Sequence, residues 1–102
     1  PQYSDINSRS EVDISSELGN IKLEFPIISS PMDTITEEKM ALKMSQAGGL
    51  GIVHRYNTID EQSKLVGGLR MIGCKNIGAA IGISGEFMSY KSHRRWSKCF
   101  VR

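Results

Sequence analysis

Apolar and polar positions alternate or run together in short blocks, separated by Gly, Pro and Thr. Residues 1–20 are polar, with Ser, Asn and Asp spread throughout, and predict mostly loop. "IKLEF" (Ile21–Phe25) alternates apolar and charged residues, the period of a half-exposed strand. Pro26 interrupts it, and Ile27-Ile28-Ser29-Ser30 predicts the end of a buried strand. A helix follows. Thr34 and Glu37 have the T-x-x-E spacing of a capping box, with Thr36 as a competing cap. Met40, Met44 and Ala47 recur at helical spacing and predict its inward stripe. Gly48-Gly49 supplies a residue that can take positive φ and close the helix. Leu50–Val53 then reads as a short strand buried on both faces.

The pattern repeats. Thr58 and Glu61 form a second T-x-x-E and open a helix through about Met71, weakened by Gly67-Gly68. Ile77 to Ile83 is a small-residue strand in which Gly78 and Gly82 mark a crowded place. The strand centres Ile28, Ile52 and Ala80 lie 24 and 28 residues apart, the length of a strand, a helix and two short loops. The fold class is therefore α/β, a β-α-β-α-β run with parallel strands and right-handed crossovers. Three strands bury too little to stand alone comfortably, which implies a larger parent barrel or doubly wound sheet.

Composition changes this picture little. At 102 residues, with 39% hydrophobic and 24% charged residues, the chain is near the soluble average and suits one domain. No apolar run approaches a membrane span, no signal-peptide pattern opens the chain, and a cytoplasmic location is expected. Because it opens on Pro1, the chain reads as a processed or internal piece. Cys74 and Cys99 lack metal-ligand or CxxC spacing and read as reduced thiols. Charge is more informative. Residues 1–88 hold 8 Lys/Arg and 11 Asp/Glu, a balance of −3, whereas residues 89–102 carry five basic residues and no acid.

Candidate chemistry lies where parallel strands end. In such folds the site forms at the strand C-termini. Ser29, Ser30, Met32, Asp33 and Thr34 follow one strand, and His54 and Arg55 follow the next, so both sets share one rim. Ser30 is either a ligand donor or a turn cap. Met32 either packs against a flat base or joins the core, and Asp33 most simply shapes the start of the helix. His54 is either a hydrogen-bonded structural residue or a ligand contact, and Arg55 either a solvated charge or a contact for an anionic cofactor. "GGLG" is no phosphate loop, because its glycines lie at a helix C-terminus, where the dipole repels anions. No catalytic triad, metal-ligand cluster or activated nucleophile is legible, and Cys74 falls in a helix-to-strand loop on the opposite rim.

"YSDINSRSEVDIS", "PIISSPMDTITEEKMALKMSQAGGLGIVHR", "DEQ" and "NIGAAIGIS" resemble the opening of the IMP dehydrogenase/GMP reductase family, from about Pro1 to Met88. The resemblance implies the first part of a (β/α)8 TIM barrel, truncated after about three strands. The intact family handles a purine nucleotide (IMP or GMP) with NAD or NADP, usually as a homo-tetramer. By resemblance Ser30 and Met32 are substrate-binding, and Arg55, with His54 before it, is cofactor-binding. In the family a mobile-loop cysteine attacks C2 of the purine, and hydride passes between that carbon and the nicotinamide. Neither Cys74 nor Cys99 sits in that loop's motif, so no catalytic residue is assigned and the chain alone is expected to be inactive. The family's regulatory CBS pair has no room between His54 and Ile77. "SSPMDTITE" favours the dehydrogenase branch, with GMP reductase as the alternative. A flavin-dependent barrel of the nitronate monooxygenase type and a non-catalytic docking or pseudoenzyme piece are further alternatives.

Residues 1–88 thus form a partial catalytic domain and residues 89–102 a separate basic tail. "SYKSHRRWSKCFVR" neither continues a helix to a Gly nor enters a fourth apolar strand. A nucleic-acid contact is the weaker reading, because basic charge without a fold is usually a solvated tail. A shifted reading frame accounts for more. Trp96 has a single codon, and with either serine codon type after it the frame one base later must read Gly, the expected helix stop.

Overall fold

The computed structural model describes residues 3–82 and 100–101. After a short 3₁₀ turn at Arg9–Glu11, the elements are β1 (Ser16–Leu18), β2 (Ile21–Leu23), β3 (Ile28–Ser29), α1 (Glu38–Gln46), β4 (Leu50–Val53), α2 (Ile59–Met71), β5 (Ile77–Ala80) and β6 (Phe100–Val101). The strands β3-β4-β5-β6 form one sheet in that order, and all three pairings are parallel. The expected β-α-β-α-β run is present. A fourth strand is present too: Phe100 and Val101 pair with Ala79 and Ala80, so the sheet does not stop at three. The remainder of the basic tail, including Cys99, lies outside the described residues, as do Ile83 and the residues that follow it to position 99.

The first twenty residues are less loop-like than their polarity suggests. β1 and β2 make an antiparallel hairpin around Gly19-Asn20, with Leu18 opposite Ile21 and Glu17 opposite Lys22. Gly19 takes φ +58, a region that favours glycine in a two-residue hairpin turn. Leu23 is the hairpin's anchor. It is buried against Leu50 and Ile52, which occupy one face of β4. Gly51 and Val53 face the opposite way, and Val53 joins Ala41, Leu69, Cys74 and Ile77 under the helices. All four residues of β4 are buried, as a central parallel strand requires.

α1 departs from expectation at two points. It begins at Glu38 with Glu37 as its N-cap residue, and no side chain caps it; the Thr36 hydroxyl is spent on Ser29 and Ser30. Its inward residue is Ala41, fully buried, while Met40 and Ala47 are exposed. The reason is proximity. A side chain at Gly51 would meet the Ala41 Cα at 2.6 Å, so helix and strand touch backbone to backbone, and only the smallest residues fit between them. The Ile27–Ser30 segment is also not buried: Ile28 is 44% exposed, because β3 pairs on one side only.

Both helices end as the glycines dictate. In α1, Gly48 N donates to Ser45 O at 3.1 Å and Gly49 N to Met44 O at 2.9 Å, with Gly48 at φ +86. In α2 the same pair of bonds runs from Gly73 N to Arg70 O and from Cys74 N to Leu69 O. These are Schellman closures. The start of α2 is the expected capping box: Thr58 Oγ1 accepts from Glu61 N at 3.3 Å, and Glu61 Oε2 accepts from Thr58 N at 3.0 Å. Gly67-Gly68 does not interrupt the helix. Among the described residues no helix is long and apolar enough to cross a membrane.

Candidate functional site

The residues picked out from sequence sit at the C-terminal ends of two neighbouring parallel strands. Ser29 ends β3 opposite Gly51, and Ser30, Met32, Asp33 and Thr34 form the turn that follows. His54 and Arg55 follow Val53, the last residue of β4. Ser30 and Met32 are exposed, as ligand-facing groups on an open rim would be. Asp33 Oδ1 accepts from Thr34 N at 2.9 Å and so shapes the turn rather than facing outward as a free carboxylate.

Local bonding holds this turn. Met32 O accepts from Ile35 N at 3.0 Å and from Thr36 N at 2.9 Å, and Met32 N donates to Ser30 O at 2.9 Å. Thr36, expected as a helix cap, is instead fully buried: its Oγ1 donates to Ser30 O at 2.6 Å and lies 2.9 Å from Ser29 Oγ. A threonine in this position fixes the serine turn from beneath.

His54 is 2% exposed, and both its ring nitrogens are engaged. Nδ1 accepts from Tyr56 N at 3.2 Å, which requires that nitrogen to be unprotonated. The proton therefore resides on Nε2, which points at Glu37 Oε1 at 3.2 Å. The ring is occupied in holding the backbone, while the next residue, Arg55, is exposed. Tyr56 is 71% exposed, and its ring centroid lies 6.0 Å from that of His54. Arg55 and Tyr56 are consecutive and both exposed, so this strand end presents a cation and an aromatic ring to solvent.

Two participants were not legible as site residues. Gln62, fully buried in the first turns of α2, donates from Nε2 to His54 O at 3.1 Å and to Ala80 O at 3.1 Å. It ties the end of β4 to the end of β5. A glutamine amid "DEQSK" looks like solvated helix surface; only its spacing from Val66 and Leu69 hints that it faces inward. Glu37 was read as part of a cap and proves to be the partner of His54.

The opposite rim holds a cleft of about 370 Å³ lined by Lys22, Glu24, Ser45, Cys74, Lys75 and Asn76, among others. The C-terminal ends of α1 and α2 face it, so their dipoles disfavour anions there. Its polar bonds are structural: Ser45 Oγ accepts from Lys75 N at 3.1 Å and from Asn76 N at 3.2 Å. Cys74 lies on this side, buried, with Sγ 3.8 Å from Ala41 O. Among the described residues no three His, Cys, Asp or Glu side chains are grouped to hold a metal ion.

Comparison with known proteins identifies the family. Residues 1–92 match the model of the IMP dehydrogenase / GMP reductase domain. The chain is 44% identical over 87 residues to inosine-5'-monophosphate dehydrogenase of Nitrosopumilus maritimus, covering 84% of this chain and 18% of that protein. It is 46% identical over 67 residues to GMP reductase of Leishmania donovani, covering 65% and 14%. Among solved structures, GMP reductase from Trypanosoma brucei in complex with guanosine 5'-triphosphate superposes with a TM-score of 0.61 at 45% identity, over 65% of this chain and 16% of that one. A cysteine-to-alanine variant of that enzyme in complex with guanosine 5'-monophosphate gives 0.62 at 45% identity, over 65% and 14%. The chain spans less than a fifth of the relatives it matches, and by the domain match and these identities it belongs to the IMP dehydrogenase/GMP reductase family.

Proposed function

We propose that this chain forms the first part of a (β/α)8 barrel that binds a purine nucleotide and a nicotinamide cofactor, and that these 102 residues by themselves are inactive. Family membership replaces the flavin-barrel alternative. The carrying observation is the rim: the exposed Ser30–Met32 turn and exposed Arg55 stand at the ends of adjacent parallel strands, held by buried bonds. Ser30 offers a hydroxyl to the nucleotide and Met32 an apolar surface for its base. Arg55 offers a cation to the cofactor, and Tyr56 an aromatic face beside it. Arg55 and Tyr56 fit NAD or NADP because the ligand is both anionic and aromatic. When bound, the nicotinamide supplies a hydride acceptor or donor. His54 serves this site through its backbone, since its ring is buried and engaged.

Within the family we favour IMP oxidation to XMP, on the wording of "SSPMDTITE". The solved neighbours are GMP reductases, which supports the reverse-direction reading of GMP to IMP as the second choice. The test uses the purified 102-residue chain. Amide spectra recorded during titration with inosine monophosphate should show shifts at Ser30 and Met32, with an affinity on the order of millimolar for half a pocket. Ser30→Ala should weaken binding by roughly five- to tenfold, the worth of one hydrogen bond of about 1 kcal/mol. No NADH should form with NAD present. Absence of any nucleotide response overturns the binding reading, and measurable NADH formation overturns the inactivity.

A further inference from the structure

Polar contacts, joined by chain continuity at Thr36-Glu37 and within His54, link the ends of three strands. Ser30 O accepts from Thr36 Oγ1 at 2.6 Å. Glu37, the next residue, lies 3.2 Å through Oε1 from His54 Nε2. His54 O accepts from Gln62 Nε2 at 3.1 Å, and the same amide donates to Ala80 O at 3.1 Å. The series runs from the end of β3 to the end of β5. It includes a carbonyl of the serine turn and His54, the residue before Arg55. Thr36, His54 and Gln62 are buried, but the Glu37 side chain is 64% exposed. A carboxylate open to solvent is thus the acceptor for the N–H of an imidazole that is itself shielded.

Resting on the proposed nucleotide and cofactor site, we infer that Glu37 is a positioning residue that couples the Ser30–Met32 turn to Arg55 through the ring of His54. The bonds on either side of His54 divide the work. Tyr56 N on Nδ1 selects the tautomer, and Glu37 on Nε2 fixes the rotation of the ring. Arg55 lies between His54 and Tyr56, both of which are bonded to that ring, so its backbone direction follows the ring's orientation. Glu37 is continuous in the chain with Thr36, which holds Ser30. Displacement of the serine turn by a nucleotide therefore reaches Arg55 by way of one carboxylate–imidazole bond. Removing the carboxylate leaves the fold intact but frees the ring, so both ends relax and the link between them is broken.

The experiment uses the labelled 102-residue chain and reads the ring nitrogens of His54 together with backbone amides. Wild type should show His54 with an unprotonated Nδ1 and a protected Nε2–H. Glu37→Ala should abolish that protection and move the amides of Arg55 and Tyr56 and those of Ser30 and Met32, with the melting temperature little changed. Glu37→Gln keeps an acceptor oxygen in place and should restore the wild-type spectrum. Titration with inosine monophosphate should shift Ser30, Met32 and Arg55 in wild type, and Ser30 and Met32 alone in Glu37→Ala. A His54 ring protonated on Nδ1, unresolved His54 ring signals in wild type, or Glu37→Ala changes confined to residues adjoining position 37 overturn the inference. So does Glu37→Gln behaving like Glu37→Ala. If wild type gives no nucleotide response, the functional reading fails, while the nucleotide-free spectra still decide whether Glu37 couples the two strand ends.

Discussion

Single residues decide how closely the layers of this fold approach. Gly51 stands in the middle of β4 with no room for a side chain, because its added Cβ would lie 2.6 Å from the Ala41 Cα and 3.0 Å from the Ala41 Cβ. Helix and strand would have to separate to admit a methyl group. Gly51→Ala should therefore destabilise the chain by about 1–3 kcal/mol, the usual cost of overpacking, measured by denaturant unfolding. An unchanged midpoint would show that α1 sits further from the sheet. Gln62 shows the complementary case, a polar residue whose burial is justified by its partners. Its amide replaces water at two strand-end carbonyls, and nothing in its neighbours' hydropathy announces this.

At the level of elements, sequence patterns were informative where one local rule governed and failed where tertiary contact intervened. The second capping box, the Gly48-Gly49 stop and the buried strand Leu50–Val53 follow from local chemistry and appear as expected, whereas the Gly73 stop of α2 was not anticipated. The α1 stripe did not, because the close approach at Gly51 selected small Ala41 over the larger Met40. The first T-x-x-E did not act as a cap, because Thr36 and Glu37 are drawn to Ser30 and His54. In the β1–β2 hairpin, β2 is the strand expected from the alternation of Ile21–Phe25, whereas β1 was hidden among polar residues and Gly19-Asn20 was its one signal. Ser30, Met32, His54 and Arg55 were placed on one rim by topology alone, but the supports of that rim were not legible. The box at α2 also carries a pH dependence. Bonds from Thr58, its backbone N–H first, hold the Glu61 carboxyl below the usual carboxylate range. A carboxyl whose folded value is depressed contributes stability above its unfolded value and loses it as pH falls through the folded one. The melting temperature of the chain should drop on acidification through and below the ordinary glutamate range, and Glu61→Gln should flatten that part of the profile. An identical acid limb in the variant would rule the box out as its source.

For the whole molecule, the main sheet is a set of parallel strands with β4 and β5 inside and, among the described residues, β3 pairing on one side only. Ile27, Ile28 and Met32 are exposed along that margin. In the proposed parent barrel this margin is where closure would occur. The length of the relatives, several times that of this chain, agrees with a piece that presents an incomplete pocket. The two strand-to-strand crossovers are complete within the described residues, which is why the rim exists at all in so short a stretch.

The segment before β1 has a different standing. From Tyr3 to Ser15 every residue is exposed, and its 3₁₀ turn buries nothing. Arg9 sits in that turn, held by little more than contacts among Ser8, Ser10 and Glu11. To a protease, that is an extended substrate with a basic side chain already presented. Limited trypsin digestion should cut after Arg9 well before Lys22 or Lys75, and mass spectrometry should find a persistent product beginning at Ser10. Equal cutting at Lys22 would mean that the hairpin is no better protected than the segment before it. The feature that contributes no core to the fold would then be its cleanest natural boundary.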